Sequence, residues 1–87
     1  MLDVIVKVVR KYLKEGSKIL AFADISLGGL VTVRSLRIIE REDKGLVVLY
    51  PDKLNKRTNL WEEIVTAESI ELRKVIEEKV IAVYKQL

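Results

Sequence analysis

The chain has 87 residues and contains neither histidine nor cysteine. That removes the commonest general base, the commonest metal ligand and every thiolate or disulfide, and leaves chemistry to carboxylates, lysines, tyrosines and hydroxyls. Asp24, Glu40, Asp43, Glu62 and Glu63 are the candidate carboxylates. None stands in a catalytic or metal-ligand spacing, and ordinary surface charge accounts for all five. The expectation is a protein without catalysis, cofactor or metal. What remains is cationic. Lys53, Lys56 and Arg57 lie close together in a polar stretch, Asp52-Lys53-Leu54-Asn55-Lys56-Arg57-Thr58-Asn59, that follows Pro51. Cations in such a loop can pair with phosphates and release counterions, which gives salt-sensitive affinity with little base discrimination. Arg34, Arg37, Arg73 and Lys74 are the other cations that could join that surface. The competing reading is a solvated loop, the usual fate of such charges.

The distribution of charge narrows the choice. The net charge is +3. Residues 1–18 hold five bases and two acids, residues 19–50 balance at four and four, residues 51–60 hold three bases and one acid, and residues 61–87 hold four bases and six acids. The surplus therefore sits at the N-terminal end and in the loop, while the last segment is mildly acidic. A patch of this size suits weak binding to a polyanion better than tight sequence reading. Tyr12, Phe22, Tyr50, Trp61 and Tyr84 fall mostly in apolar patterns and read as core, with Trp61 the one candidate for a base-stacking platform.

The elements that must carry these residues are organised around residues 19–39. Two apolar, β-branched runs meet there at Gly28-Gly29, a hairpin signal because tight primed turns need positive φ. Val31 and Val33 share a parity that Leu36 and Ile38 lack; a β-bulge near Arg34-Ser35 would return both pairs to one face, and a strand buried on both sides reads the same way. Before the hairpin, Leu2, Val4, Val6 and Val8 alternate with Asp3, Ile5, Lys7 and Val9 as a first strand, followed by a turn at Gly16. After it, the charged run ending at Gly45 gives a second turn, and Leu46-Val47-Val48-Leu49-Tyr50 a fourth strand that Pro51 stops. Leu60, Trp61 and Ile64 return to the core through a short strand or a turn of helix. From Thr66 the period changes, and Leu72, Ile76, Val80, Val83, Tyr84 and Leu87 mark one face of a helix of about 20 residues capped by Thr66 or Ser69.

These elements make one α+β domain over residues 1–87, an antiparallel sheet of four to five strands with a C-terminal helix on one face. One helix covers one face only. Ile5 and Val9, Leu20 and Phe22, and Val47 and Leu49 would then sit on the uncovered face, and burying such a patch against a second copy is the commonest solution, so a homodimer is expected. The N-terminus is alternating and charged, and no run reaches the roughly 18 to 20 apolar residues of a membrane span. A soluble cytoplasmic protein, not bound to membrane, is expected.

The ordered set of strands resembles the SpoVG (stage V sporulation protein G, septation regulator) family. The resemblance rests on Leu20-Ala21-Phe22-Ala23-Asp24-Ile25, the Gly28-Gly29 turn, Leu36-Arg37-Ile38-Ile39-Glu40, Gly45-Leu46-Val47-Val48-Leu49-Tyr50-Pro51-Asp52-Lys53 and the helix from Arg73-Lys74-Val75-Ile76 through Val80-Ile81-Ala82-Val83-Tyr84. It covers nearly the whole chain. It implies a small dimeric regulator that binds DNA or RNA with modest sequence preference and without catalysis. Pro51, Lys53, Arg73 and Lys74 match the family's pattern by position, whereas Lys56 and Arg57 supply comparable charge outside any shared motif. The chain departs from the family at Leu54-Asn55-Lys56-Arg57-Thr58-Asn59, at Ile64-Val65-Thr66-Ala67 and at Arg34-Ser35. The alternative to nucleic-acid binding is a dimeric protein-interaction adaptor acting through a strand edge or the Trp61 segment.

Overall fold

The computed structural model describes residues 3–87; Leu2, assigned above to the first strand, lies outside them. Four strands, β1 (Val4–Lys11), β2 (Ile19–Leu27), β3 (Val31–Arg41) and β4 (Gly45–Leu49), pair antiparallel in chain order. The β2–β3 connection is the primed turn that two glycines permit. Gly28 and Gly29 have φ of 61° and 71°, and the Leu30 N–H donates to the Leu27 carbonyl at 3.0 Å.

The bulge expected in β3 is present. Ala23 pairs with Leu36 and Ile25 with Val33, so Arg34 and Ser35 together oppose Asp24. Ser35 takes a left-handed φ of 64°, and its N–H is satisfied by Asp24 Oδ1 at 3.1 Å. The extra residue returns Val33, Leu36 and Ile38 to one buried face. Two further register shifts were not expected. Lys7 is the extra residue between Val6 and Val8, and Leu20 the extra residue between Ile19 and Ala21. The first changes the reading of β1: Val4, Val6 and Val9 face the core, while Val8 turns away from it and stands 42% exposed. Val9 thus leaves the uncovered face to which alternation assigned it.

The helix α1 (Ile70–Lys85) is shorter than expected because the cap is Ser69, not Thr66. Ser69 Oγ accepts from the Leu72 N–H at 3.1 Å, with Glu71 in the first turn and Lys85 in the last, each complementing the dipole. Ile76 and Val80 are buried against Ala21, Ala23, Ile25, Leu36 and Ile38, and Leu72, Val75 and Tyr84 pack around them. Lys79 Nζ reaches the Val4 carbonyl at 3.1 Å and ties the helix to the outer strand. The small alanines of β2 let the helix approach the sheet closely.

The stretch read as a loop is a further hairpin, outside the main sheet. β5 (Asp52–Asn55) and β6 (Leu60–Glu63) pair antiparallel and form a separate two-stranded sheet, so the fold is α+β with a four-stranded main sheet and an added arm. Tyr50, just before the arm, is buried at the edge of the core, and burial raises its phenol pKa above the ordinary 10.0, with Arg73 opposing the shift.

Two outcomes are expected. In urea titrations, Ile76→Ala should cost about 2–5 kcal/mol, the range for emptying a packed site, whereas Ile5→Ala, on the uncovered face at 51% exposure, should cost less than about 1 kcal/mol. The raised Tyr50 pKa means that the native state keeps a proton the unfolded chain has lost, so stability is undiminished below pH 10 and is lost as pH rises from there through the folded-state value. An absorbance titration should show one phenol ionising late, and Tyr50→Phe should remove both that phase and its share of the alkaline loss.

Candidate nucleic-acid interface

The seven cations singled out in the sequence divide into two sets. Lys53, Lys56, Arg57, Arg34 and Lys74 are exposed, whereas Arg37 and Arg73 are partly buried and engaged. Arg37 Nη2 donates to Asp52 Oδ1 at 2.8 Å and to the Tyr50 carbonyl at 3.3 Å. Arg73 donates through Nε to the Ala67 carbonyl at 2.6 Å and through Nη2 to Glu63 at 3.1 Å, with its guanidinium 5.0 Å from the centre of the Tyr50 ring. Asp52 and Glu63 pair across the base of the arm. The two arginines therefore clamp the arm's root to the sheet and to the helix. Their charge is spent on the fold, and neither presents a free guanidinium to a phosphate.

The arm carries the free cations outward. Lys53 stands opposite Glu62, and Lys56 and Arg57 occupy the tip between the last ladder pair, Asn55 and Leu60. The tip is built by asparagine. Asn55 Oδ1 accepts from the Arg57 N–H at 2.9 Å, the Asn59 N–H donates to the Asn55 carbonyl at 2.8 Å, and Asn59 takes a φ of 59° that asparagine tolerates. The Asn55 amide also donates to Glu62 Oε1 at 2.9 Å and occupies one oxygen of the arm's only acid beyond the root clamps. Lys56 and Arg57 thus stand as two adjacent unpaired cations on a defined turn. Arg34 sits elsewhere, on the bulge of β3, and Lys74 lies on the solvent side of α1 beside the engaged Arg73.

What the sequence reading missed is the arm itself and its anchors, Asp52 and Glu63. The signal was slight: neither Asp52-Lys53-Leu54-Asn55 nor Leu60-Trp61-Glu62-Glu63 alternates, and only the asparagines at each end of the stretch between them, Asn55 and Asn59, mark a turn. The arm leaves its large apolar groups in solvent. Leu54 pairs with Trp61 across the two strands, and Trp61 is 67% exposed, contrary to its assignment to the core. Tyr12 and Phe22, by contrast, pack edge to face with centroids 5.3 Å apart.

Beside the arm's root, an apolar groove of about 250 Å³ opens between the sheet and the segment that leads into α1. Leu27, Val33, Tyr50, Val65 and Leu72 are among its walls, with Thr66 and Glu68 as its polar lining. Among the described residues, no cluster of three or more acidic side chains has metal-binding geometry, and no helix is long and apolar enough to cross a membrane.

No curated protein matches the chain. A family model does: SpoVG matches residues 1–86, and with the ordered strands, the paired-glycine turn and the closing helix in place, the chain belongs to the SpoVG family, whose membership suggests a regulator of sporulation or septation.

Proposed function

We propose that this chain is a non-enzymatic cytoplasmic regulator that binds DNA or RNA as a homodimer, with the tip of the β5–β6 arm as its phosphate-binding element. The observation that carries the reading is the division of the cations. Two arginines are consumed in clamping the arm, and what the clamp holds out into solvent is Lys56 and Arg57, with Lys53 one step behind. A rigid root and a basic tip place charge at a fixed distance from the body, which favours backbone contact over groove reading. Three contacts per copy are few, so affinity depends on both copies engaging one strand or duplex, where the second contact gains from effective concentration. Arg34 and Lys74 are secondary contacts, since each stands alone. Arg37 and Arg73 act by positioning the arm.

The test is fluorescence anisotropy of labelled single-stranded RNA, single-stranded DNA and duplex DNA across a series of salt concentrations. Binding should weaken steeply with salt. Replacing Lys53, Lys56 and Arg57 together by alanine should lower the magnitude of the log–log salt slope by about 2 to 3 for each arm engaged, at about 0.7 to 0.9 per phosphate lost, while leaving the urea midpoint within about 0.5 kcal/mol of wild type. Unchanged binding by the triple variant at low salt removes the tip as the contact. No binding of wild type to any of the three ligands at low salt removes the nucleic-acid reading altogether.

A further inference from the structure

The arm and the groove are each incomplete alone. A two-stranded hairpin has little stability in water without a partner surface, and this one is held at its root by two partly exposed ion pairs, each worth at most about 1 kcal/mol. Beyond the root, the face that carries Leu54 and Trp61 is apolar and has no charge left, because Asp52 and Glu63, the acids of that face, are neutralised by Arg37 and Arg73. A neutral apolar face offers nothing to a phosphate. Leu54, Leu60, Trp61, Ile64 and Ile70 are all exposed in the arm and its junction with the helix. Leu54 and Trp61 share one face of the arm and Leu60 stands on the other, opposite Asn55, so the apolar surface that the arm offers a partner is the Leu54–Trp61 face. The groove supplies the complementary shape. An apolar cavity of about 150 Å³ accommodates benzene, so about 250 Å³ has room for an indole.

We propose that the β5–β6 arm is an exchange arm: Trp61, with Leu54 beside it, seats in the groove of a second copy, between the turn end of that copy's β2–β3 hairpin, at Leu27 and Val33, and its segment 65–68. The groove and the arm share a root, since Tyr50 lines one and precedes the other. A two-fold axis between two such roots lets each arm reach the other's groove, which closes the assembly at two copies. The inference rests on the homodimer reading above and replaces the uncovered sheet face with the arm as the contact. It also makes the nucleic-acid surface composite, because each basic tip then lies over its partner's body.

Trp61 is the chain's single tryptophan and reports directly. Sedimentation velocity and intrinsic emission are measured from about 1 to 100 µM, the range in which a complex of moderate affinity dissociates, with no nucleic acid present. Wild type should shift from monomer to dimer, and its emission should move to shorter wavelength in step. Trp61→Ala, and separately Leu54→Lys, should weaken the dimer at least about 30-fold, as loss of a central aromatic or apolar anchor does, with the helical circular dichroism unchanged. Ala67→Phe, which fills the groove from its wall, should do the same and leave Trp61 emitting at long wavelength. A dimer that persists with wild-type affinity in Trp61→Ala overturns arm exchange while leaving the homodimer standing. A monomer across the whole range overturns both. Short-wavelength emission from a species that sediments as monomer means that the arm folds onto its own groove, and that also overturns the exchange. Phosphate binding by the tip is read separately by anisotropy: a monomer leaves contact by a single tip standing and removes only its doubling across two copies.

Discussion

Arg73 is the side chain on which the arrangement turns. Its guanidinium joins four parts of the chain: the helix it belongs to, the Ala67 carbonyl in the segment that leads into that helix, Glu63 at the end of the arm, and the Tyr50 ring just after β4. No other type of side chain would do this at one point. A lysine has no planar face to lay over an aromatic ring and no fork to serve a carbonyl and a carboxylate together. The contact with the carbonyl also settles where the helix begins. Ala67 is held by the guanidinium and the chain runs on extended to Ser69, which caps, so the apolar period that starts at Thr66 becomes helix only from Ile70.

The clamp explains why cations in the sequence are a poor count of cations available for binding. Residue type does not separate Arg37 and Arg73 from Arg57, and the family pattern, which Arg73 and Lys74 match by position and Lys56 and Arg57 do not, joins the engaged Arg73 to the exposed Lys74. The separation comes from Asp52 and Glu63, which are ladder partners across the arm and so must lie at its root together. Once a pair of acids is fixed there, two arginines are drawn to it and the charge of the arm is left at the far end. The geometry makes the arm polar along its length: acids neutralised at the base, an apolar middle, bases at the tip.

How much of this was legible depends on whether a feature is local. The Gly28-Gly29 turn is a local steric demand, and the sequence announces it; the break in valine and leucine parity announces either a bulge at Arg34-Ser35 or a strand buried on both sides, and pairing with β2 decides for the bulge. The bulge at Lys7 was not legible. Val4, Ile5, Val6, Val8 and Val9 are apolar on both parities, so alternation carries no register there, and the choice of Val9 over Val8 for the core is made by pairing with β2 and by the helix overhead. The arm was hidden for a different reason. Its strands span four residues each and bury almost nothing, so the hydrophobic pattern on which strand reading depends is weak, and the asparagines that build its turn are also what an unstructured polar loop contains.

The exposed apolar surface moved for the same physical reason. A four-stranded sheet with one helix has a bare face, and alternation placed the surplus hydrophobic groups on it. Part of that surplus is removed by the bulge in β1, which sends Val9 to the core, and part by local packing: Tyr12 shields Phe22, and Leu20, Val47 and Leu49 are each half-buried among their neighbours. The arm has no such remedy. Two strands cannot shield each other's faces, and the nearest body surface is reached only at the root, where Asp52 and Glu63 already occupy it. A side chain as large as Trp61 held in water midway along a clamped, two-stranded arm is apolar surface that the isolated chain leaves uncovered.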